Sequence, residues 1–281
     1  MTCSRGAVLM GGDERSLRGR VALITGVSRR QGIGFAVASR LAAAGADLFL
    51  THHRPHDEDQ PWGADDLTAV LEGVRGRCVD EQQQVRELAV DLVDPDAADR
   101  VVSSVVAAFG HIDILVCNHA RSGGDGPVGS LTAEMLDAHW AVNTRASLLL
   151  VQAFAAQHDG RAGGRVVLMT SGQGLGPMPG EIAYAASKAA LAGITLSLAD
   201  QLADAGITVN TVNPGPVDTG YMTPELTAQL APMFPLGRMG EPDDPARLIA
   251  WLVSDEGRWM TGQVINTEGG FARWRPPATR E

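Results

Sequence analysis

An apolar run, Val21–Thr25, leads directly into the turn Thr25-Gly26-Val27-Ser28-Arg29-Arg30-Gln31-Gly32-Ile33-Gly34, and a segment of helical period follows at once. Glycines let a backbone turn tightly and approach a pyrophosphate, and the N–H groups that begin the next helix favour negative charge. A glycine-rich turn alone is a weak signal. Between a first strand and a first helix, it predicts a nucleotide site.

Short strand-like runs alternate with helix-like segments along the chain. The runs are mostly apolar throughout, as in parallel strands that helices cover on both faces. The strand-like runs are Val21–Thr25, Ala46–Thr51, Glu87–Val90, Ile112–Cys117, Arg165–Thr170, Ile207–Asn213 and Gln263–Asn266. The helix-like segments are Gly32–Ala44, Asp96–Phe109, Thr132–His158, Glu181–Ala205 and Pro242–Ser254. This alternation predicts an α/β fold of the Rossmann type, with a doubly wound, predominantly parallel sheet flanked by helices.

Length and composition bound the domain organisation. The 281 residues, of which 44% are hydrophobic, suit a single α/β domain with a sizeable core. The predicted dinucleotide-binding catalytic domain covers residues 19–274. Residues 1–18 are predicted to be a flexible N-terminal extension, and residues 275–281 a C-terminal tail.

Charge, cysteine content and hydropathy argue against several classes of protein. The net charge is −10 and the arginines are scattered, so we expect no nucleic-acid partner. The cysteines, Cys3, Cys78 and Cys117, lie far apart without the spacing of a zinc site, which fits a reducing cytosol. No apolar run approaches the ~20 residues that cross a bilayer. We therefore expect a soluble, cytoplasmic protein without a membrane partner.

The end of the second strand bears on the choice of cofactor. An acidic side chain there would accept hydrogen bonds from a ribose 2′-hydroxyl and repel a 2′-phosphate. The sequence has Thr51-His52-His53-Arg54 instead, and Arg29 and Arg30 lie in the glycine turn. Arginine is well shaped for bidentate phosphate contact, so this neutral-to-cationic site predicts NADP(H), with NAD(H) as the alternative. Solvated arginines without a ligand are the other interpretation.

A group of histidines and acids follows the second strand: His52, His53, His56, Asp57, Glu58 and Asp59. Adjacent histidines in a proline-interrupted polar loop lack the fixed scaffold of known metal sites. We expect no metal there and a solvated loop near the adenosine.

Tyr184 and Lys188 stand four residues apart in a segment of good helix formers, so both side chains lie on one helical face. Reducing a ketone needs a proton donor, and a tyrosine, whose ordinary pKa is ~10, needs a fixed cation nearby to titrate closer to neutrality. Such a pair is usually an exposed tyrosine with a solubilising lysine. Here arginine outnumbers lysine by 22 to 1, and the single lysine stands beside one of two tyrosines. The pair is a candidate proton-transfer centre.

These motifs, in their order, make the chain similar to the classical short-chain dehydrogenase/reductase family from Gly19 to Gly270. Further matches are Asp91 with Leu92, Cys117-Asn118-His119-Ala120, Val142-Asn143-Thr144-Arg145, Ser171, Tyr184-Ala185-Ala186-Ser187-Lys188 and Asn213-Pro214-Gly215-Pro216-Val217-Asp218-Thr219. The resemblance implies a seven-stranded sheet in a single domain, and a homotetramer or homodimer.

The resemblance also implies a role for each matched residue. Tyr184 would donate the proton, Ser171 would stabilise the carbonyl oxygen, and Lys188 would hold the ribose and lower the tyrosine pKa. Asn143 would help to hold a water in the relay. The predicted catalytic residues are thus Asn143, Ser171, Tyr184 and Lys188. From the residues and the resemblance together, the predicted cofactor contacts are Gly26, Ser28, Arg29, Arg30, Gly32, Ile33, Gly34, His53, Asp91, Leu92, Asn118, Ala120, Tyr184, Lys188, Pro214, Gly215, Val217 and Thr219.

Two places depart from the family pattern. The glycine turn has five residues between Gly26 and Gly32 where three are usual, so which of them touch phosphate stays open. The segment after the fourth strand reads Asn118-His119-Ala120-Arg121 rather than Asn-Asn-Ala-Gly. This places His119 and Arg121 near the cofactor or the site entrance, with open roles.

The predicted activity is the NADP(H)-dependent interconversion of a secondary alcohol and a ketone, which includes 3-oxoacyl compounds. An enoyl-thioester reductase is one alternative, suggested by the longer glycine turn, although related enoyl reductases place tyrosine and lysine further apart. A non-catalytic cofactor-binding protein is the other. Residues 172–181 and 216–240 would set the substrate, and their partly apolar content favours a medium-sized apolar carbonyl compound. A fatty-acyl thioester, a cyclic ketone and a polyketide intermediate stay open.

Overall fold

Seven parallel strands form the central sheet of the protein, which a computed structural model describes over residues 16–272. Their order across the sheet is β3-β2-β1-β4-β5-β6-β7. The strands are β1 Val21–Ile24, β2 Asp47–His52, β3 Val85–Ala89, β4 Ile114–Cys117, β5 Gly164–Met169, β6 Ile207–Asn213 and β7 Val264–Asn266. Every pairing is parallel. The predicted seven-stranded, doubly wound α/β fold is confirmed.

Helices cover both faces of this sheet. On one face lie α1 Ile33–Ala43, α3 Leu67–Arg75 and α9 Asp243–Val253. On the other lie α4 Ala97–Phe109, α6 Ala146–Gln157 and α7 Ile182–Ala203. The shorter helices are α2 Arg54–Glu58, α5 Ala133–His139 and α8 Pro224–Leu230.

The middle of the sheet is buried on both faces. All residues of β1 and β4 are buried. Successive side chains of a strand point to opposite faces, so Ile24 packs in the cluster that contains Leu41, and Leu23 in the cluster that contains Phe154. Apolar side chains are therefore required at every position, which is why unbroken apolar runs mark these strands in the sequence.

The order of the strands also determines where a ligand can bind. The chain passes from β1 to β2 on one side of the sheet and returns to β4 on the other side. In doubly wound sheets, ligands bind in the crevice outside the carboxyl ends of the strands at such a reversal. The glycine turn after β1 and the loop after β4 border this crevice.

One predicted helix is divided in the structure. The segment Thr132–His158 contains α5, a π-helical turn over Trp140–Arg145, and α6. A π-turn widens the helix locally and is frequent at functional sites. The predicted helical segment is therefore confirmed from Ala133 to Gln157, whereas the π-turn inside it was not predicted.

The segment after β2 is also more ordered than expected. It contains α2, and α3 follows it. Asp57 of α2 is 7% exposed, so this residue is buried rather than solvated. The expected loop is thus a short helix, and the expectation of solvation is wrong for Asp57, whereas Arg54, Pro55, Glu58 and Asp59 are exposed.

Helix α7 is unusually long and apolar. Its 22 residues include a window of mean hydropathy 1.4, which by length and composition alone would suffice to cross a bilayer. No apolar run of that length was expected from the sequence. In the fold, α7 packs beside β6 and carries the buried Lys188. One large apolar side chain of α7, that of Leu196, is exposed on the single chain, at 69%.

The predicted domain edges fall partly outside the described residues. Leu17, placed in the predicted extension, is 2% exposed, and its backbone N–H donates to the carbonyl oxygen of Ala44 at 2.8 Å. The packed domain therefore includes Leu17, which corrects the boundary at residue 18. Residues 1–15, Trp274 and the predicted tail, 275–281, lie outside the described part of the chain.

Candidate active site

A cleft of about 920 Å³ lies beside the carboxyl ends of the strands, around the reversal at β1. It brings together nearly all residues predicted for cofactor binding and catalysis. Those that line it are Gly26, Ser28, Arg29, Gly32, Ile33, Gly34, His53, Asp91, Leu92, Asn118, Ala120, Ser171, Tyr184, Lys188, Pro214, Gly215, Val217 and Thr219. Arg30 and Asn143 do not line it.

The glycine turn packs closely on the loop after β4. Gly26 has φ +73°, where glycine is favoured, and a Cβ there would lie 2.8 Å from the Cα of His119. A Cβ on Gly34 would lie 2.5 Å from the carbonyl oxygen of Gly26. The Nδ2 of Asn118 donates to the carbonyl oxygens of Thr25 at 3.1 Å and Gly26 at 3.0 Å. Asn118 therefore holds the turn, and neither glycine position has room for a side chain.

Helix α1 begins at the cleft with free backbone donors. Its N-cap residue is Gly32, which has no side chain to cap the helix, and its first turn contains no acidic residue. Uncapped N–H groups and the helix dipole attract a phosphate group. The residues present at this end of the cleft thus fit the pyrophosphate of a dinucleotide.

Arg30 points away from the cleft. Its Nε and Nη2 donate to the two carboxylate oxygens of Asp65 at 2.9 and 2.7 Å, and its backbone N–H donates to the same carboxylate at 3.0 Å. Through these bonds Arg30 holds the pKa of Asp65 well below its usual range. In this structure the guanidinium of Arg30 binds a carboxylate beyond the turn and does not line the cleft, so its cofactor contact stays a prediction without support from the geometry.

Arg29 lines the cleft but is also engaged. Its Nη1 donates to the carbonyl oxygen of Thr219 at 2.8 Å, and its Nε lies 3.3 Å from the Oδ1 of Asp57. The guanidinium carbon is 5.1 Å from the ring centre of Trp62. The cationic region predicted from Arg29 and Arg30 is therefore balanced by one carboxylate for each arginine.

The wall after β2 carries both histidine and acid. His53 lines the cleft, and Asp57 and Asp59 line it as well. The preceding His52 is buried, and its Nε2 lies 2.8 Å from the Oε2 of Glu87 on β3. A histidine and not a carboxylate thus stands directly after the strand.

Ser171, Tyr184 and Lys188 meet at the other end of the cleft. Tyr184 and Lys188 belong to the first two turns of α7, and the Nζ of Lys188 lies 5.8 Å from the centre of the Tyr184 ring. Although the Tyr184 side chain is only half-buried, desolvation raises the pKa of its phenol to about 12, and the nearby hydroxyl of Ser171 opposes this rise. The phenol is therefore protonated at neutral pH.

Lys188 is a buried cation that can donate further hydrogen bonds to a ligand. It is 2% exposed, and burial lowers its pKa to about 8. Its Nζ donates to the carbonyl oxygen of Met169 at 2.9 Å, which uses one of the three N–H donors of an ammonium group. The resemblance implies that Lys188 lowers the pKa of Tyr184, but in this structure burial raises that pKa and Ser171, not Lys188, is the group that opposes the rise.

Asn143 lies behind the cleft, in the π-turn, and is fully buried. Its Oδ1 accepts from the backbone N–H of Arg121 at 2.7 Å. Its Nδ2 donates to the carbonyl oxygen of Arg121 at 3.2 Å and to the Oγ of Ser187 at 2.9 Å. Asn143 thus joins the loop after β4 to α7, while the water-holding role implied by the resemblance stays a prediction.

His119 connects the first strand to the π-turn. Its Nδ1 lies 2.6 Å from the Oγ1 of Thr25, and its Nε2 lies 3.0 Å from the carbonyl oxygen of Val142. Because a carbonyl oxygen only accepts, Nε2 carries the proton and Nδ1 accepts from Thr25. Burial, and to a smaller extent the charge of Lys188, lowers the pKa of His119 to about 3. His119 is therefore a neutral structural link between these segments.

Two residues of the site, Asp125 and Trp62, were not among those predicted from the sequence. Asp125, in the loop after β4, accepts hydrogen bonds from the first turn of α7. Trp62, after α2, lines the cleft. The sequence contains one sign of this cap. Glu181, the N-cap residue of α7, is not one of the residue types that favour the N-cap, so another residue is needed to accept the free N–H groups.

Comparison with known proteins agrees with this geometry. A family model described as Enoyl-(Acyl carrier protein) reductase matches residues 26–272. The chain is 44% identical over 256 residues to the uncharacterized oxidoreductase YjdA of Bacillus subtilis, covering 90% of this chain and 97% of the relative. It is 34% identical to a cyclohexanol dehydrogenase of Rhodococcus sp., covering 92% of this chain and 98% of that protein.

A similar solved structure is that of LugOII, a promiscuous reductase that catalyses keto-reduction at C1 during lugdunomycin biosynthesis. It has a TM-score of 0.78 at 33% identity, covering 90% of this chain and 98% of the other. These similarities extend over nearly all of the described residues and include the glycine turn and the Tyr184–Lys188 helix. The protein is an oxidoreductase of a family that uses NAD(H) or NADP(H) on small molecules, and the chain belongs to the short-chain dehydrogenase/reductase family.

Proposed function

We propose that the protein is an NADP(H)-dependent oxidoreductase that interconverts a ketone and a secondary alcohol. The observation that carries this proposal is the meeting of Ser171, Tyr184 and Lys188 at one end of a cleft whose other end fits a dinucleotide. The hydroxyl groups of Ser171 and Tyr184 both line this end of the cleft, where each can donate a hydrogen bond to a carbonyl oxygen.

Reduction requires a hydride at the carbonyl carbon and a proton at the oxygen. The reduced nicotinamide supplies the hydride when it is bound. Tyr184 gives its phenolic proton to the developing alkoxide, and Ser171 donates a hydrogen bond to the same oxygen. Because burial raises the pKa of Tyr184 to about 12, its phenol is in the protonated state that this step needs. Lys188 favours the phenolate left behind and donates to the ribose.

The preference for NADP(H) rests on the wall after β2. His53, and not a carboxylate, stands directly after the strand, and Arg29 lines the same wall. Asp57 opposes a phosphate, since it carries a negative charge 3.3 Å from Arg29. A phosphate carries more charge than a carboxylate and binds arginine bidentately, so Arg29 would exchange Asp57 for a 2′-phosphate. The test is the ratio of kcat/KM with NADPH and NADH, and a clear NADH preference overturns this choice.

The substrate end of the cleft supports a ketone of mainly apolar character. Its walls include Met178, Met222, Leu226, Leu230 and Phe271. The names of two similar proteins, a cyclohexanol dehydrogenase and a keto-reductase, also concern alcohol and ketone chemistry. A medium-sized carbonyl compound, including a 3-oxoacyl compound, fits this end.

The description of the matching family model raises the alternative of enoyl reduction. The related enoyl reductases place the tyrosine further than four residues before the lysine. Apart from Tyr184, the chain has only Tyr221, which follows Lys188. The spacing of Tyr184 and Lys188 therefore favours carbonyl reduction, and an enoyl thioester belongs in the substrate panel as the discriminating compound.

The experiment measures oxidation of NADPH by the purified protein with ketones, 3-oxoacyl thioesters and enoyl thioesters. Tyr184→Phe removes only the phenolic oxygen, so we expect turnover to fall by at least about a hundredfold. Binding of NADPH, followed by quenching of tryptophan fluorescence, should be nearly unchanged. Undiminished turnover by Tyr184→Phe would refute the mechanism.

We also infer a cytoplasmic homotetramer or homodimer. Free Cys78 and Cys117 are compatible with a reducing compartment. The apolar surface of α7, which includes Leu196 at 69% exposure, would be covered by a second copy.

A further inference from the structure

Trp62 lies in the segment between α2 and α3, which was expected to border the adenosine. The structure places it on the wall of the cleft, beside Tyr221 of the segment that follows β6. The two ring centres are 6.2 Å apart, and the ring planes meet at 60°. Segments far apart in the chain thus contribute one edge-to-face aromatic pair to the cleft.

Tyr221 belongs to the substrate end of this cleft. Burial is the main cause that raises its pKa to about 12, and the charges of Asp218, Tyr184 and Glu181 raise it further. Tyr184 lines the same cleft as Trp62 and Tyr221. The aromatic pair and the proton donor therefore belong to one binding space.

Arg29 holds the aromatic pair in place. Its guanidinium carbon lies 5.1 Å from the ring centre of Trp62, within the range of a cation–π contact. The same guanidinium is bound to the carbonyl oxygen of Thr219, two residues before Tyr221, and is paired with Asp57. Arg29 of the glycine turn thus joins Trp62 to the segment that carries Tyr221.

The indole nitrogen of Trp62 points to a ligand. It is screened from solvent, and no described residue accepts a hydrogen bond from it. Buried polar atoms in proteins nearly always have a partner. An oxygen atom of a bound molecule would supply the missing acceptor.

We propose that Trp62 and Tyr221 form an aromatic wall that selects flat ring ketones carrying an oxygen substituent over open-chain ketones. The inference rests on the proposed function, because it takes Tyr184 as the proton donor to the carbonyl group. A planar ring makes stacked or edge-to-face contacts with a fixed aromatic pair, whereas a flexible chain loses rotational freedom without gaining them.

The test measures kcat/KM for several substrates on one enzyme preparation and compares their ratios. The fraction of folded enzyme cancels in such a ratio. The substrates are α-tetralone, a ring-hydroxylated tetralone, and an open-chain methyl ketone with the same number of carbons as α-tetralone. Trp62→Leu should lower the ratio of kcat/KM for α-tetralone to that for the open-chain ketone by about tenfold. Trp62→Phe should keep most of this ratio but lose the advantage of the hydroxylated ring. Trp259→Leu is the control, since Trp259 is 96% exposed and does not line the cleft.

Two outcomes overturn the inference while leaving the proposed function intact. One is a wild-type enzyme that reduces the open-chain ketone in preference to both ring ketones. The other is a ratio that Trp62→Leu leaves unchanged. A hydroxyl advantage that survives in Trp62→Phe overturns the role of the indole N–H. If no carbonyl compound causes NADPH oxidation, the proposed function fails together with the inference.

Discussion

The carboxylate of Asp125 accepts a hydrogen bond from the backbone N–H of Tyr184 at 2.7 Å. Its other oxygen accepts the N–H of Ala183 at 3.0 Å. The residue at the N-cap of α7, Glu181, makes no side-chain capping bond. Free N–H groups of a first helical turn need such acceptors. A residue of the loop after β4 therefore caps the helix that carries the proton donor.

Asp125→Ala removes this cap, and we expect two effects. The protein should lose about 0.5–2 kcal/mol of unfolding free energy, as for other N-caps. Because a small displacement of a reacting group can lower the rate by up to about a hundredfold, kcat should fall more than KM rises. Asp125→Asn keeps one acceptor oxygen and should recover part of both. The measurements are urea unfolding and steady-state kinetics.

Asp159→Ala is the matched control for Asp125, because this exposed carboxylate pairs with Arg161 in a different loop. It should leave kcat unchanged. If Asp125→Ala loses stability but keeps kcat, the cap is structural only and does not position Tyr184.

The buried Lys188 predicts a pH dependence of cofactor binding. Burial lowers its pKa to about 8, so the ammonium is charged below that pH and loses its proton above it. Only the charged form donates three hydrogen bonds and attracts the ribose hydroxyls. The Kd for NADPH should therefore rise as the pH increases from about 7 to about 9. Lys188→Met should bind more weakly and show a flat profile over this range. A wild-type Kd that does not change with pH would contradict this role.

Local spacing explains which parts of the site could be predicted from the sequence. Tyr184 and Lys188 share a helical face because four residues make about one turn. Gly26 follows a strand directly, so its neighbourhood in the sheet is determined by topology. Arg30 could not be oriented in this way, because Asp65, 35 residues later, binds its guanidinium. The direction of a charged side chain in a loop depends on where its hydrogen-bond partner lies. The position of that partner depends on tertiary packing, which local spacing does not show.

The π-turn shows the same limit within a helix. Apolar spacing predicts one helix through Thr132–His158, whereas the structure widens it at Trp140–Arg145. The carbonyl oxygen of Val142 in this turn bonds with His119, which comes from the loop after β4. A tertiary hydrogen bond thus accompanies the irregularity, and the helical period of the sequence contains no trace of it.

The pairing of Arg29 with Asp57 predicts how cofactor preference can be changed. Asp57→Asn removes a negative charge 3.3 Å from the Nε of Arg29 and frees the guanidinium for a phosphate. The ratio of kcat/KM with NADPH to that with NADH should rise by about tenfold. Arg30→Ala should leave the ratio unchanged, because Asp65 already occupies that guanidinium.

Glu58→Gln is the control for Asp57→Asn, since Glu58 lies on the same helix, is 54% exposed and pairs with Arg54. It should not alter the ratio. An unchanged or lower ratio in Asp57→Asn would mean that the 2′-phosphate is not bound at Arg29.

The uncovered apolar surface of α7 predicts assembly in solution. Leu196 is 69% exposed, and only 33% of the apolar window of α7 is buried on the single chain. Two-fold symmetry allows the same helix of a second copy to cover Leu196. Leu196→Glu places a charge in that interface and should lower the molar mass measured by light scattering to that of a smaller assembly. Val79→Glu, at a site 54% exposed and outside every helix and strand, should leave the mass unchanged. A monomeric wild-type protein, or an assembly that tolerates Leu196→Glu, would show that α7 is not the interface.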